Sequence, residues 1–140
     1  MIIDFEEFSG TEIAGFDVCI VGAGAAGITL AVELLRLGRR VVLLEGGGSK
    51  FERRSQSLYD ADIVGAPYTG HQLGRYRVLG GSTTAWAGQI LELDEHDFTT
   101  RPWVPGSGWP IAKSELTAAY ARAIEMEGLK DTLSSWLVFP

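Results

Sequence analysis

Cysteine is nearly absent. Cys19 is the single one in 140 residues, so no disulfide can form within the chain. It sits in an apolar run with neither His nor Lys beside it, and is expected to be a small buried core residue rather than a reactive thiol. Histidine is scarce as well. His71 and His96 are the two present, neither has metal-ligand spacing, and both read as surface or loop residues; no metal site is expected. Excess positive charge is missing: 12 Lys and Arg stand against 18 Asp and Glu, a formal charge of −6. That excludes a nucleic-acid partner, which needs a basic face. Arg53 with Arg54, and Arg75 with Arg77, are too local to supply one. No apolar run approaches the roughly 18–20 residues that span a bilayer. The opening Met1–Glu7 is acidic and has no apolar core, unlike a secretory signal. These absences together lead to the expectation of a cytoplasmic protein with no membrane segment.

What is present is glycine, 18 residues of it, in a chain that is 46% hydrophobic and 21% charged. Such a composition belongs to a globular protein of about one modest domain. After a polar lead-in over residues 1–15, Phe16–Val21 reads as a short buried strand. Gly22–Gly27 is a glycine-rich turn. Ala25–Leu37 then reads as a helix, with Ile28, Ala31, Val32 and Leu35 at helical spacing and Gly38 as its C-terminal cap. Val41–Leu44 is a second buried strand, closed by Glu45. Strand, helix and strand over residues 16–45 make a βαβ unit with a parallel, right-handed crossover. Residues 50–79 are mixed and polar, with short helical or extended pieces. Gly80–Gly88 is a second glycine- and hydroxyl-rich loop. Pro102–Pro110, with Trp103 and Trp109, is a structured loop in which the tryptophans are expected to pack. Residues 114–127 form a further helix, with Ser114 as N-cap and Leu116, Ala119, Tyr120, Ala123 and Ile124 on one face. The acids Glu92, Asp94, Glu95 and Asp97 read as a solvated strand end. No internal repeat or low-complexity tract is present.

The turn carries recognisable chemistry. Gly22 lets the chain leave the strand sharply. Gly24 lets a pyrophosphate approach the backbone, and Gly27 lets the helix pack closely. The free N–H groups of Ala25 and Ala26, at the positive end of the helix dipole, face the phosphates. Glu45, about twenty residues further on, can accept hydrogen bonds from ribose hydroxyls. An acid there disfavours a 2′-phosphate. A glycine-rich turn with no ligand is the plain alternative, but three glycines at a helix start are costly without a reason. The motif alone does not separate FAD from NAD. The early start of the fold and the glycines that follow Glu45, beginning with Gly46, favour FAD.

Arg75-Tyr-Arg77-Val-Leu79-Gly80-Gly81-Ser82-Thr83-Thr84-Ala85-Trp86-Ala87-Gly88 is the second informative stretch. Its glycines permit close approach to an anionic or planar ligand, and its hydroxyls can donate. Together the two stretches resemble the glucose–methanol–choline (GMC) oxidoreductase family, in which an arginine precedes a Leu-Gly-Gly-Ser-Ser/Thr loop that packs along the flavin. Arg75, Leu79, Gly80, Gly81, Ser82 and Thr83 match that pattern. Trp86-Ala87-Gly88 is similar to the Trp-Gly-Gly variant of its bacterial sugar- and alcohol-dehydrogenase-like branches. Ala85 stands where some members carry a flavin-linking histidine, which implies non-covalent FAD. Asp97-Phe98, Arg101–Pro105, Gly108–Pro110 and the helix with Leu116 and Tyr120 continue the likeness, to about Gly128.

The resemblance implies an α/β fold: an incomplete Rossmann-like FAD-binding domain in which residues 1–140 are the N-terminal fragment and residues 75–89 the flavin-contacting loop. It implies an oxidoreductase acting on the CH–OH group of a small-molecule alcohol or sugar. The family's catalytic His–His or His–Asn pair has no counterpart in this sequence, so no catalytic residue is assigned and the isolated chain is expected to be inactive. The electron acceptor stays open. Two other readings stand beside this one: a nicotinamide-binding dehydrogenase or reductase domain, which leaves the loop at Gly80 unexplained, and a non-catalytic nucleotide-binding module. Two parallel strands alone leave open sheet edges, so an exposed apolar sheet face is expected.

Overall fold

The computed structural model describes residues 1–68, 73–88 and 90–129. His71 and Gln89 lie outside the described residues. The chain divides into two units, residues 1–89 and 90–140.

The first unit is built on β1 (Val18–Val21), α1 (Ala25–Arg36) and β2 (Val41–Leu44). The strands pair in parallel, with Val18 opposite Val41 and Val21 opposite Leu44. This is the expected βαβ unit, and its α/β class follows. α1 ends one residue before the expected Leu37. Gly38 adopts φ +74°, Gly38 N–H donates to Leu35 O (2.9 Å) and Arg39 N–H to Leu34 O (3.0 Å). That pair of bonds is a Schellman motif, and only a residue tolerant of positive φ closes it cheaply. Arg40 then ties the start of β2 to that of β1. Its backbone N–H donates to Asp17 Oδ2 and its guanidinium to Asp17 Oδ1, both at 2.8 Å.

Both strands are less buried than a doubly covered sheet requires. β1 begins at Val18 rather than Phe16, and Ile20 is its one buried residue. Side chains alternate across a strand. Ile20 therefore points toward α1, where its Cγ2 approaches Gly27, while Cys19 and Val21 point to the other face. Cys19 is exposed, contrary to the expectation of a core residue, and Val21 is 84% exposed. The lead-in makes one 3₁₀ turn, Phe5–Glu7, capped by Asp4. It forms, with Cys19, Val42 and Leu44, the walls of an open groove. On α1 the covered face runs through Gly27, Ile28, Ala31 and Leu34, whereas Leu35 is 56% exposed. Among the described residues the buried apolar residues are Ile20, Ala23, Ala31 and Val78. α2 (Arg53–Gln56) runs into a 3₁₀ turn at Ser57–Tyr59, and a further 3₁₀ turn occupies Gly81–Ala85.

In the second unit the acids do not end a strand. They start α3 (Glu95–Phe98). Asp94 Oδ1 accepts from His96 N–H (2.9 Å) and Asp97 Oδ2 from Asp94 N–H (2.8 Å). The spacing of Asp94 and Asp97 is that of a capping box, which outweighs the alternation read as a strand. His96 is exposed, as expected. The last helix opens as a 3₁₀ turn over Lys113–Leu116 and continues as α4 (Thr117–Met126). Ser114 is inside that turn rather than its cap. Glu115 Oε1 reaches back to Ala112 N–H (2.8 Å) instead. Leu116, Tyr120, Ala123 and Ile124 share the half-buried face, and Ala119 is exposed. Trp103 and Trp109 do not pack as expected: they are 76% and 58% exposed. The loop holding them is closed by polar bonds that do not require the rings to be buried, Ser107 Oγ accepting from Arg101 N–H (2.8 Å) and donating to Arg101 O (3.1 Å). No helix of the described residues is long and apolar enough to cross a membrane.

The Asp17–Arg40 pair makes stability depend on pH. The side-chain hydrogen bond from Arg40, then its backbone N–H, lowers the Asp17 pKa from the usual 3.8 to about 2. A carboxylate with a depressed folded pKa stabilises above its unfolded value and loses that contribution as pH falls through the folded one. The Tm of the wild type should therefore fall between pH 4 and 2 by more than that of Asp17→Asn. Added salt should shrink the difference, because the pair is solvent-exposed. Differential scanning calorimetry across that range checks it; parallel curves for the two proteins would remove Asp17 from the account.

Candidate functional site

The turn after β1 is a close-packed piece of backbone. Gly22 takes φ +102° and its N–H donates to Leu44 O (2.7 Å). A Cβ on Gly27 would strike the carbonyl of Gly22, so this glycine is needed for α1 to begin so close to the strand. Gly24 differs. Its φ of −82° suits any residue, and nothing lies within 4 Å of where its Cβ would be. No side chain caps the start of α1, so the first-turn N–H groups lack intrahelical partners. The structure thus separates a packing glycine, Gly27, from one that leaves space, Gly24.

Glu45 closes β2 and reaches back over this turn. Its Oε2 accepts from Ala23 N–H (2.8 Å) and its Oε1 from Gly47 N–H (2.9 Å). The carboxylate expected to meet ribose hydroxyls therefore also joins the two glycine segments, and each oxygen keeps a further lone pair for a ligand. Gly46 and Gly47 lie against the second motif. A Cβ on Gly46 would meet the guanidinium of Arg77, and one on Gly47 the Arg77 carbonyl.

The second motif then folds onto the first. Leu79 N–H donates to Gly48 O (3.0 Å), and Gly80 N–H to Ala23 O (2.8 Å). Gly80 and Gly81 both have positive φ, and a Cβ on Gly81 would sit 3.1 Å from Gly24 Cα. The result is one open cleft of about 540 Å³ lined by Gly22, Gly24, Ala25, Ala26 and Gly27 from the turn and by Ser82 and Thr83 from the loop. Two stretches separated by some 55 residues thus share one site. The Thr83 and Thr84 hydroxyls donate to the carbonyls of Gly80 and Gly81, whereas Ser82 Oγ accepts from Tyr76 N–H (3.2 Å), which leaves its proton to be donated.

Glu45, Gly46, Gly80 and Gly81 border this cleft without lining it, and other expected site residues are not part of the lining either. Arg75 is exposed, and its carbonyl accepts from Gln56 Nε2 (2.6 Å). Trp86, Ala87 and Gly88 are exposed and follow the Gly81–Ala85 turn. Arg77 instead reaches inward: its guanidinium lies 5.3 Å over the Tyr59 ring. Reading the sequence singled out neither Ala23 nor Gln56. Ala23 is 1% exposed and acts through its backbone, and a lone Gln in a polar segment carries no signal.

The two kinds of glycine respond differently to substitution. Gly27→Ala must displace the Gly22 carbonyl, and should cost about 1–3 kcal/mol of stability. Gly24→Ala should cost less than about 1 kcal/mol, the loss of a favourable N-cap residue, but puts a methyl into the cleft and should weaken ADP binding. Denaturant titrations with calorimetric ADP titrations test the pair. Equal destabilisation, or an unchanged ADP affinity in Gly24→Ala, would contradict the assignment. Glu45→Gln keeps one acceptor and turns an amide against a backbone N–H, so it should cost about 1–3 kcal/mol, readable in the same titration.

Comparison with known proteins agrees with this geometry. Residues 15–58 match the family described as FAD binding domain. That stretch contains β1, the glycine turn, α1, β2 and Glu45. The chain is also 39% identical over 54 residues to "Probable oxidoreductase OrdL" of Haemophilus influenzae, a match over 39% of this chain and 12% of that protein. No solved structure matches significantly. The matching family is not the GMC family that the second motif resembles. What both likenesses share is the cofactor: the βαβ unit of this chain is FAD-binding, in a mixed α/β fold.

Proposed function

We propose that this chain supplies the ADP-binding part of an FAD-dependent oxidoreductase of GMC type, acting on the CH–OH group of an alcohol or sugar, with FAD held non-covalently. The observation that carries it is the shared cleft of the Gly22–Gly27 turn and the Ser82–Thr83 loop. A nicotinamide-binding domain accounts for the turn but not for a second glycine loop pressed onto it. FAD held there would supply the acceptor for a hydride from the donor carbon. The residues of this chain bind and orient it. First-turn N–H groups of α1 face the pyrophosphate, Glu45 accepts from the ribose, and Ser82 donates from the opposite wall.

Purified protein should carry or take up flavin, visible in its absorbance, and release it on acid precipitation. Anaerobic addition of alcohols and sugars to the flavin-loaded full-length enzyme should bleach that absorbance. Tight NAD binding without flavin would reject the cofactor reading. Flavin that stays with the precipitate would reject non-covalent attachment. Bleaching by amines alone would reject the CH–OH donor.

A further inference from the structure

The second motif reaches the cleft because something holds residues 75–80 alongside residues 46–48. Leu79 N–H donates to Gly48 O at one end of the stretch, but among the described residues no β-ladder continues from β2 to residues 75–77. The side-chain amide of Gln56 takes that place. Its Nε2 donates to Arg75 O (2.6 Å) and its Oε1 accepts from Arg77 N–H (3.0 Å). The two bonds engage alternate residues of one extended segment, as a neighbouring strand would. Three residues on, Tyr59 lies under the Arg77 guanidinium, whose far end rests on Gly46. The short helical segment 53–59 thus grips the backbone at 75–77 and the side chain of Arg77. The loop beyond can then place Gly80 on Ala23 and Ser82 in the cleft.

We propose that Gln56 is a positioning residue for the cofactor loop, clamping Arg75–Arg77 so that Ser82 and Thr83 form the second wall of the cleft. The proposal rests on the FAD reading for its consequence in binding, though not for the clamp itself. ADP occupies the first wall and Glu45. FAD extends along the loop as well. Loss of the clamp therefore weakens FAD more than ADP, a split that general destabilisation does not produce.

The test uses the full chain as wild type and as Gln56→Met, which keeps the bulk and loses both hydrogen bonds. Calorimetric titrations should show FAD weakened about tenfold, as expected for two lost hydrogen bonds, and ADP changed by less than about twofold. Equal weakening of both ligands, or of neither, overturns the proposal. Amide exchange without ligand is the second arm. Residues 76–83 should exchange faster in the variant, with β1, α1 and β2 unchanged, and unaltered exchange at 76–83 overturns the clamp whether or not flavin binds. If Gln56→Met loosens the strands too, Gln56→Glu repeats the comparison. It keeps the acceptor for Arg77 N–H but sets a carboxylate oxygen against Arg75 O, and a loop no looser than wild type would again overturn the proposal. A wild type that binds neither FAD nor ADP rejects the cofactor reading instead, and the exchange arm still decides the clamp.

Discussion

The backbone of Ala23 is where the first unit is tied together. Its N–H donates to the Glu45 carboxylate and its carbonyl accepts from Gly80 N–H, both at 2.8 Å. One buried residue thereby joins the turn after β1, the end of β2 and the loop more than fifty residues away. An ionised acceptor makes the first of these bonds stronger than a neutral one. Because Ala23 is 99% removed from solvent, leaving either group unpaired would carry a full desolvation cost. The cleft follows from this junction, since its two walls are the segments on either side of Ala23 and Gly80.

Backbone meeting backbone leaves no room for side chains, and this accounts for several glycines at the junction. Gly27 touches the Gly22 carbonyl, Gly47 the Arg77 carbonyl, and Gly81 approaches Gly24. Gly24 alone among the turn glycines lining the cleft combines ordinary φ with open space. The same residue type therefore closes the packing at Gly27 and leaves space at Gly24, three residues apart on one turn.

Away from the junction the molecule is thinly covered. α1 protects one face of the two-stranded sheet, and the other carries exposed Cys19 and Val21. In the second unit, capping rather than burial organises the chain: Asp94 with Asp97, and Glu115 on Ala112, each satisfy N–H groups at helix starts.

The sequence by itself determined the local grammar. The βαβ unit, the Gly38 cap and the acid at Glu45 could all be read from spacing, because each depends on residues close in the chain. Cys19 misled for a physical reason: an apolar run does not say how many faces of a strand will be covered. The acids at 92–97 misled because alternation and a capping box overlap there. Only the tertiary structure decided that Arg77 rather than Arg75 turns inward, that Glu45 ties two backbone segments together, and that the Gln56 amide bonds the backbone at Arg75 and Arg77. Each of these depends on a partner distant in the chain, and a side chain's sequence neighbours carry no record of what the fold will bring beside it.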